Sequence, residues 1–255
     1  MDLEEAIESI WECNEQGIYY PQEWKGKFSM DDAYRVQLGI LQRQIQSGVS
    51  QAGWKVGLTA KAMQEQQRVH EPVFGFLLQN GAKPSGTVFA FDELIQPAFE
   101  NELCFSIGTT LKGPDVTAEQ ARKAICAVQP ALEIPERRGD FAADFPLTIA
   151  DNAQAKFFVL GEATSPLPGD VDLSESAVEV FINGESVDWA SGHVVMGNPV
   201  ESIVWLANKL ADFGHSLEAG MRVMSGSFTK QYALAQGDHI EARFQPFGSV
   251  EAEFQ

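Results

Sequence analysis

The stretch Phe99-Glu100-Asn101-Glu102-Leu103-Cys104-Phe105 constrains this chain more than any other. Read with a period of two, it is a strand. Glu100, Glu102 and Cys104 then point to one face, and Asn101, Leu103 and Phe105 to the other. Two carboxylates on one face, one residue apart, repel each other, and burying them in an apolar segment requires something that neutralises them. A divalent cation does so, because hard cations such as Mg²⁺ take oxygen ligands. A third acid sits in a similar setting, Pro130-Ala131-Leu132-Glu133-Ile134-Pro135. One expectation is therefore that Glu100, Glu102 and Glu133 hold a single metal ion. The other is that Glu100 and Glu102 line the solvent face of an edge strand, where acid-x-acid patterns are common. The residues alone leave both open.

Charge narrows the partners. A net charge of −18 over 255 residues argues against nucleic acid, whose usual footprint is a basic patch, and against docking on anionic lipid. It also repels an anionic substrate, so a site for one needs local positive charge or a metal. Three widely spaced cysteines, Cys13, Cys104 and Cys126, form neither a disulfide framework nor a metal-binding pair. They read as reduced thiols of a cytoplasmic protein. The acidic start Met1-Asp-Leu-Glu-Glu5 is unlike a signal peptide, and no apolar run reaches membrane-spanning length.

Length allows one large domain or two modest ones. Leu3, Ala6, Ile7, Ile10 and Trp11 form one helical stripe, and Ser29-Met30-Asp31-Asp32 resembles a capping box before a second helix that ends near Gly48. Gly53-Trp54-Lys55-Val56-Gly57 is a short apolar strand. Its lysine is either a snorkelling edge residue or a placed amine whose pKa burial can tune. Residues 60–69 read as helix and 70–77 as extended. The Gly-, Pro- and Ser-rich stretch 79–86 is the best candidate boundary, dividing 1–80 from 81–255. Beyond it, Thr117 caps a helix expected to run through Ala121, Ala124, Ile125 and Val128 into the Glu133 strand. Val178–Ile182, Asn183-Gly184 and Glu185–Trp189 make a type I′ hairpin. Asn198-Pro199 starts a helix that Gly214 stops, and three strands close the chain.

Several segments together carry a family resemblance. They are Gly53-Trp-Lys-Val-Gly-Leu-Thr-Ala-Lys-Ala-Met63, Glu100-Asn-Glu102, Ala131-Leu-Glu133-Ile, Ile149-Ala-Asp-Asn-Ala153, Trp205-Leu-Ala-Asn-Lys-Leu210, Ser225-Gly-Ser-Phe-Thr229 and Phe247-Gly-Ser-Val250. In this order they resemble the 2-keto-4-pentenoate hydratase and 4-oxalocrotonate decarboxylase group of the fumarylacetoacetate hydrolase superfamily. The resemblance implies an α+β fold, with an α/β N-terminal region and a C-terminal mixed β-roll or sandwich catalytic domain. It implies Mg²⁺ or Mn²⁺ at Glu100, Glu102 and Glu133, an active-site lysine at Lys55 and a homo-oligomer. It further implies that the substrate is a small 2-oxo acid or its 2-hydroxydienoate tautomer from aromatic catabolism.

Such a substrate offers adjacent carboxylate and enol or keto oxygens to a metal, and its hydration requires proton transfers. Lys55 is the candidate for these, or for stabilising the anion, given a pKa lowered by burial and a nearby cation. The segment holding Ser225, Ser227 and Thr229 could present hydroxyls and backbone N–H groups to a carboxylate, or form an ordinary strand-end turn. Arg138 matches a family arginine, or makes a surface ion pair. Asp151 and Asn152 are either supporting groups behind the site or a helix cap. Lys156 reads as a surface lysine. The Gly-Ser-Phe-Thr form resembles the family's hydratases. Val73, where many hydratases have an acid, resembles its decarboxylases. An acylpyruvate hydrolase would need a His/Glu pair on an N-terminal lid, but His70 and Glu71 are adjacent and on a strand point apart. An accessory subunit paired with a homologous hydratase or decarboxylase is the non-enzymatic alternative, and the presence of Lys55 argues against a purely structural one.

Overall fold

The computed structural model describes residues 2–67, 69–167, 169 and 171–255. Helix α1 (Leu3–Glu15) buries Ala6, Ile7 and Ile10. Helix α2 (Met30–Gln46) opens on the expected capping box: Ser29 Oγ accepts from the Asp32 N–H, and the Asp32 carboxylate accepts from the Ser29 N–H. Then follow β1 (Gln51–Gly57), α3 (Lys61–Gln67), β2 (Val73–Leu78), β3 (Ala82–Pro84), β4 (Thr87–Phe89) and β5 (Ala98–Ile107). The middle of the chain holds α4 (Ala118–Ala124), β6 (Ile125–Ile134), α5 (Phe145–Ala150), β7 (Phe157–Leu160), β8 (Ala177–Ile182) and β9 (Glu185–Ser191). It closes with α6 (Val200–Ala211), β10 (Arg222–Met224), β11 (Tyr232–Ala233), β12 (His239–Gln245) and β13 (Gly248–Phe254).

The larger sheet has the order β2-β1-β10-β5-β6-β7-β3, with β11 paired to the start of β5. Its two end strands, β2 and β3, are separated in the chain only by Gln79–Gly81. A sheet whose ends are tied this closely must curl until they nearly meet. The curl gives it an inside and an outside. Outside, Trp54, Val56, Phe74, Leu103, Phe105, Val128 and Leu132 join the main core. There Tyr34 of α2 stacks on Phe74 at 4.3 Å between ring centroids. Inside, Leu77, Cys104, Ala131, Phe158 and Met224 form a smaller apolar cluster. The alternation read on β5 is thus realised, with Cys104 inward and Leu103 and Phe105 outward.

A second sheet, β4-β13-β12-β8-β9, turns Val178, Val180, Ile240, Ala242, Phe244, Val250 and Phe254 into the same core. Its β8–β9 hairpin closes through Asn183 (φ 55°) and Gly184 (φ 82°), the left-handed pair that a type I′ turn demands. The fold is α+β with two curled sheets, as expected. The large sheet draws β1 and β2 from before residue 80 and the rest of its strands from beyond it. Among the described residues no helix is long and apolar enough to cross a membrane.

One sequence expectation is corrected. Helix α4 stops at Ala124, and Ile125–Val128 belong to β6. The β-branched Ile125 and Val128 find partners on β5, in the pairs Ile107↔Ile125 and Phe105↔Val128, and this pairing prevails over a helical period that continues past Ala124.

Candidate metal centre

Strand register assembles the acidic cluster. Glu100 lies directly opposite Glu133, and Glu102 opposite Ala131. Opposed residues of an antiparallel pair share a face, so all three carboxylates project into the curl. One oxygen from each lies within 4.8 Å of the others. Glu102 and Glu133 are buried and Glu100 is partly so. The edge-strand alternative fails, because β5 lies between β10 and β6.

Lys55 approaches from across the curl. Two strands separate β1 from β6 in the sheet order, yet Lys55 Nζ donates to Glu133 Oε1 at 2.5 Å, and to the Ala153 carbonyl at 3.4 Å. With 6% of its surface exposed, Lys55 is no snorkelling edge residue. Val73 occupies the same face of β2, through the pairs Lys55↔Gly75 and Gly57↔Val73, and is buried.

The charges do not balance. One ammonium faces three carboxylates, and Glu102 Oε1 and Glu133 Oε2 are buried without a hydrogen-bond partner. Burial, then the charges of Glu133 and Glu100, push the Glu102 carboxyl well above the usual range; the Gly226 N–H opposes them. Burial raises Glu133 too, although Lys55 opposes it. The lowered pKa expected for Lys55 presupposes a nearby cation; in the cation-free chain the balance runs the other way. Burial disfavours its charge, but the carboxylates of Glu133, Glu100 and Glu102 outweigh it and hold the ammonium above its ordinary value. A cation among the carboxylates would oppose that pull. Orphaned, mutually repelling oxygens at this spacing are a donor set suited to a hard divalent ion.

Two contacts orient the acids, one from a segment whose backbone N–H groups are expected to meet a carboxylate and one that sequence reasoning misses. The Gly226 N–H donates to Glu102 Oε2 at 2.7 Å. Gly226 has φ 102°, and a Cβ there would run into Thr59, so glycine is required. Gln231 Nε2 donates to Glu100 Oε1 at 2.8 Å. Neither residue type signals a site alone. Gln231 lies two residues beyond the predicted Ser225-Gly-Ser-Phe-Thr229 segment, which contains Gly226. Within it Ser225 is buried and bonds the Gly226 carbonyl, Ser227 Oγ lies 3.5 Å from the Asn101 carbonyl, and Thr229 Oγ1 accepts from Asn101 Nδ2 at 2.6 Å.

A second buried ionic group lies beside the first. Arg138 Nε donates to Asp151 Oδ2 at 2.9 Å, Nη2 to the Asp151 carbonyl at 3.0 Å and Nη1 to the Ala155 carbonyl at 3.3 Å. Glu136 stands 3.5 Å from Arg138 and 3.4 Å from Lys156. The expected role of Arg138 at the substrate meets a guanidinium whose three nitrogens are all engaged within the chain. Asp151 ends α5, and its carboxylate serves Arg138. Asn152 caps no helix: its Oδ1 accepts from the Phe76 N–H at 2.7 Å and its Nδ2 donates to the Phe76 carbonyl at 3.0 Å. Asn152, Ala153 and Gln154 are all left-handed, with φ of 57°, 49° and 62°. For non-glycine residues this conformation costs roughly 1–2 kcal/mol each. It is held by side-chain bonds, including those from Gln154 Nε2 to Tyr20 Oη and the Gly139 carbonyl, both 3.0 Å.

Known proteins share this arrangement of elements. A family model for the fumarylacetoacetate hydrolase C-terminal region matches residues 44–255. The 2-hydroxyhexa-2,4-dienoate hydratase of Comamonas testosteroni is 33% identical over 231 residues, covering 89% of this chain and 87% of that one. A 4-oxalocrotonate decarboxylase of Pseudomonas putida is 36% identical over 224 residues, covering 88% of this chain and 84% of that one. The solved structure of a Pseudomonas putida 4-oxalocrotonate decarboxylase, complexed with magnesium and adipate, matches with a TM-score of 0.90 at 34% identity, over 99% of this chain and 96% of that one. The chain therefore belongs to the fumarylacetoacetate hydrolase family, in the group of 2-keto-4-pentenoate hydratases and 4-oxalocrotonate decarboxylases, which are lyases.

Proposed function

We propose that this chain is a divalent-cation-dependent lyase that adds water to a 2-hydroxy-2,4-dienoate, giving a 4-hydroxy-2-oxo acid. The observation that carries this reading is the buried excess of three carboxylates over one ammonium, with two carboxylate oxygens unpartnered. Glu100, Glu102 and Glu133 would hold the ion, Mg²⁺ or Mn²⁺. When bound, the ion supplies Lewis-acid polarisation of a 2-oxo group and offsets the negative charge that develops on its oxygen.

The chain's own residues do the rest. Gly226 and Gln231 fix the orientation of Glu102 and Glu100. Lys55 carries the protons. In ketonisation the 2-hydroxyl loses its proton and C5 gains one; in hydration the water oxygen bonds C4 and C3 takes a proton. Ser227, whose hydroxyl makes only a 3.5 Å contact to the Asn101 carbonyl, receives the substrate carboxylate, while Ser225 and Thr229 use their hydroxyls in shaping the loop. The apolar Leu77, Phe158 and Met224 on the inner face limit water to the molecule that reacts. Arg138 and Asp151 support the turn behind Lys55. Self-association belongs to the same reading and is supported by Trp189, which is 65% exposed on the free edge of β9. Sedimentation velocity tests it, and a monomer would remove it.

A second reading, decarboxylation of a 2-oxo-3-enedioate, is favoured by Val73. It is buried and apolar on the face it shares with Lys55, so it offers no group to activate water. Product analysis by NMR separates the two. The Mg²⁺-loaded protein is given 2-hydroxypenta-2,4-dienoate and, separately, 2-oxohex-3-enedioate. A 4-hydroxy-2-oxo acid from the first establishes the hydratase. CO₂ release from the second without hydration of the first establishes the decarboxylase and overturns the leading reading.

A further inference from the structure

Gly75 and Asn152 meet Lys55 at one point. Gly75 pairs with Lys55 across β1 and β2. A Cβ on Gly75 would lie 2.9 Å from Asn152 Oδ1, 3.1 Å from the Asn152 carbonyl oxygen and 3.2 Å from Lys55 Cγ. The absent side chain is therefore the space into which the Asn152 amide and the lysine stem both fit. The amide forms two bonds to Phe76, through its N–H and its carbonyl. In doing so it acts as a one-residue strand on the free edge of β2, where the curled sheet fails to close. The same residue begins the left-handed run whose next member, Ala153, turns its carbonyl to Lys55 Nζ. Asn tolerates this conformation better than most residues, because its short polar side chain bonds locally.

Asn152 also forms a wall. A cavity of about 420 Å³ opens between β2 and β7, lined by Phe76, Leu77, Arg138, Asn152, Lys156 and Phe158. Lys55 does not line it; Asn152 does, and its amide flanks, with the lysine stem, the space beside Gly75.

We propose that Asn152, seated in the space left by Gly75, is a positioning residue for Lys55: it closes the gap in the sheet, fixes the Ala153 carbonyl on the ammonium and keeps cavity water from it. The catalytic consequence rests on the proposed role of Lys55; the structural one does not.

The test uses the full chain with Asn152→Gly, which keeps the left-handed backbone accessible while deleting the amide, and Gly75→Ala, which keeps the amide but crowds it. The first readout is acetylation of Lys55 by acetic anhydride, followed by peptide mass spectrometry. The second is hydrogen exchange at the Phe76 amide. Both variants are expected to raise Lys55 acetylation at least tenfold. Asn152→Gly also speeds Phe76 exchange by a similar factor, and Mn²⁺ affinity stays within twofold. Lys55 labelling unchanged while Phe76 exchange accelerates would overturn the proposal. So would equal acceleration of labelling at Lys55 and Lys209, which would mean general loosening.

Turnover is then measured for wild type, Asn152→Gly, Lys55→Ala and the double variant. A tenfold or greater loss of kcat on Asn152→Gly that shrinks below twofold in the Lys55→Ala background supports action through Lys55. An equal loss in both backgrounds contradicts it. Full turnover by Lys55→Ala alone would refute the proton-carrying role of the lysine, and the labelling result would still decide the positioning.

Discussion

Two buried ionic groups lie side by side in this molecule, and only in one do the cations match the carboxylates in number. Around Arg138, two cations face two carboxylates, Arg138 and Lys156 against Glu136 and Asp151. The guanidinium also reaches two backbone carbonyls. Around Lys55, one cation faces three carboxylates; Glu102 Oε1 and Glu133 Oε2 lack a hydrogen-bond partner, as does Glu136 Oε2 of the first group, but Glu136 Oε2 has two cations within 3.5 Å. The formal deficit in the second group is that of one divalent cation. Burial of charge is common to both. What distinguishes a structural cluster from a candidate site is the unmet valence, since uncompensated buried charge is costly and is retained where something arrives to neutralise it.

The largest test of this contrast is Glu102→Gln. It removes a ligand together with a carboxyl whose ionisation burial opposes, so kcat falls by about 10³-fold or more, the equivalent of several kcal/mol of lost charge stabilisation. Thermal stability of the cation-free protein does not fall, and the stabilisation by Mg²⁺ disappears. Differential scanning fluorimetry with and without Mg²⁺ reads both. Lys55→Ala follows, with kcat reduced by roughly 10²–10⁴-fold, the range for a lost acid–base group. Steady-state kinetics at saturating Mg²⁺ check it, and unchanged turnover would remove the lysine from the chemistry.

Arg138→Met should behave in the opposite way. It strands Asp151 and Glu136, so denaturant unfolding should show a loss of about 3–5 kcal/mol, while the Mg²⁺ response persists. A pH series sharpens the comparison further. Glu102 keeps its proton in the folded, cation-free chain where the unfolded chain has lost it, because its pKa lies above the ordinary 4.5. The folded state then binds more protons, so this group's contribution to stability falls as pH rises from 4.5 toward the raised folded value. Stabilisation by Mg²⁺ grows over the same window, and binding releases protons, which calorimetry in buffers of different ionisation enthalpy detects. The smallest effect is that of Gln231→Ala, which frees Glu100 and should weaken Mn²⁺ binding by about tenfold.

What the sequence made legible was local. Alternation on β5 put Glu100, Glu102 and Cys104 on one face, Asn183-Gly184 marked a hairpin, and Ser29 and Asp32 formed a capping box. What it concealed was position among neighbours. A period of two says which residues share a face but not whether a strand is central, so Lys55 could be read as a snorkelling edge residue and Glu102 as solvent-facing. The left-handed φ of Ala153 and Gln154 was hidden for a related reason: neither residue favours that conformation, and the contacts that hold it come from Tyr20, Gly139 and Arg138, far along the chain. Gln231 and Gly226 touch the acidic cluster only because a loop after β10 folds back along β5. Family resemblance favoured the metal reading of Glu100, Glu102 and Glu133 over the edge-strand one and brought Lys55 to them, which periodicity alone left open.

The most direct measurement is a titration of Mn²⁺ into the cation-free protein, with free ion followed by electron paramagnetic resonance. The account predicts one ion bound per chain, binding abolished by Glu102→Gln or Glu133→Gln, and binding retained by Arg138→Met. No binding to the wild type, or binding that survives loss of either glutamate, would contradict it.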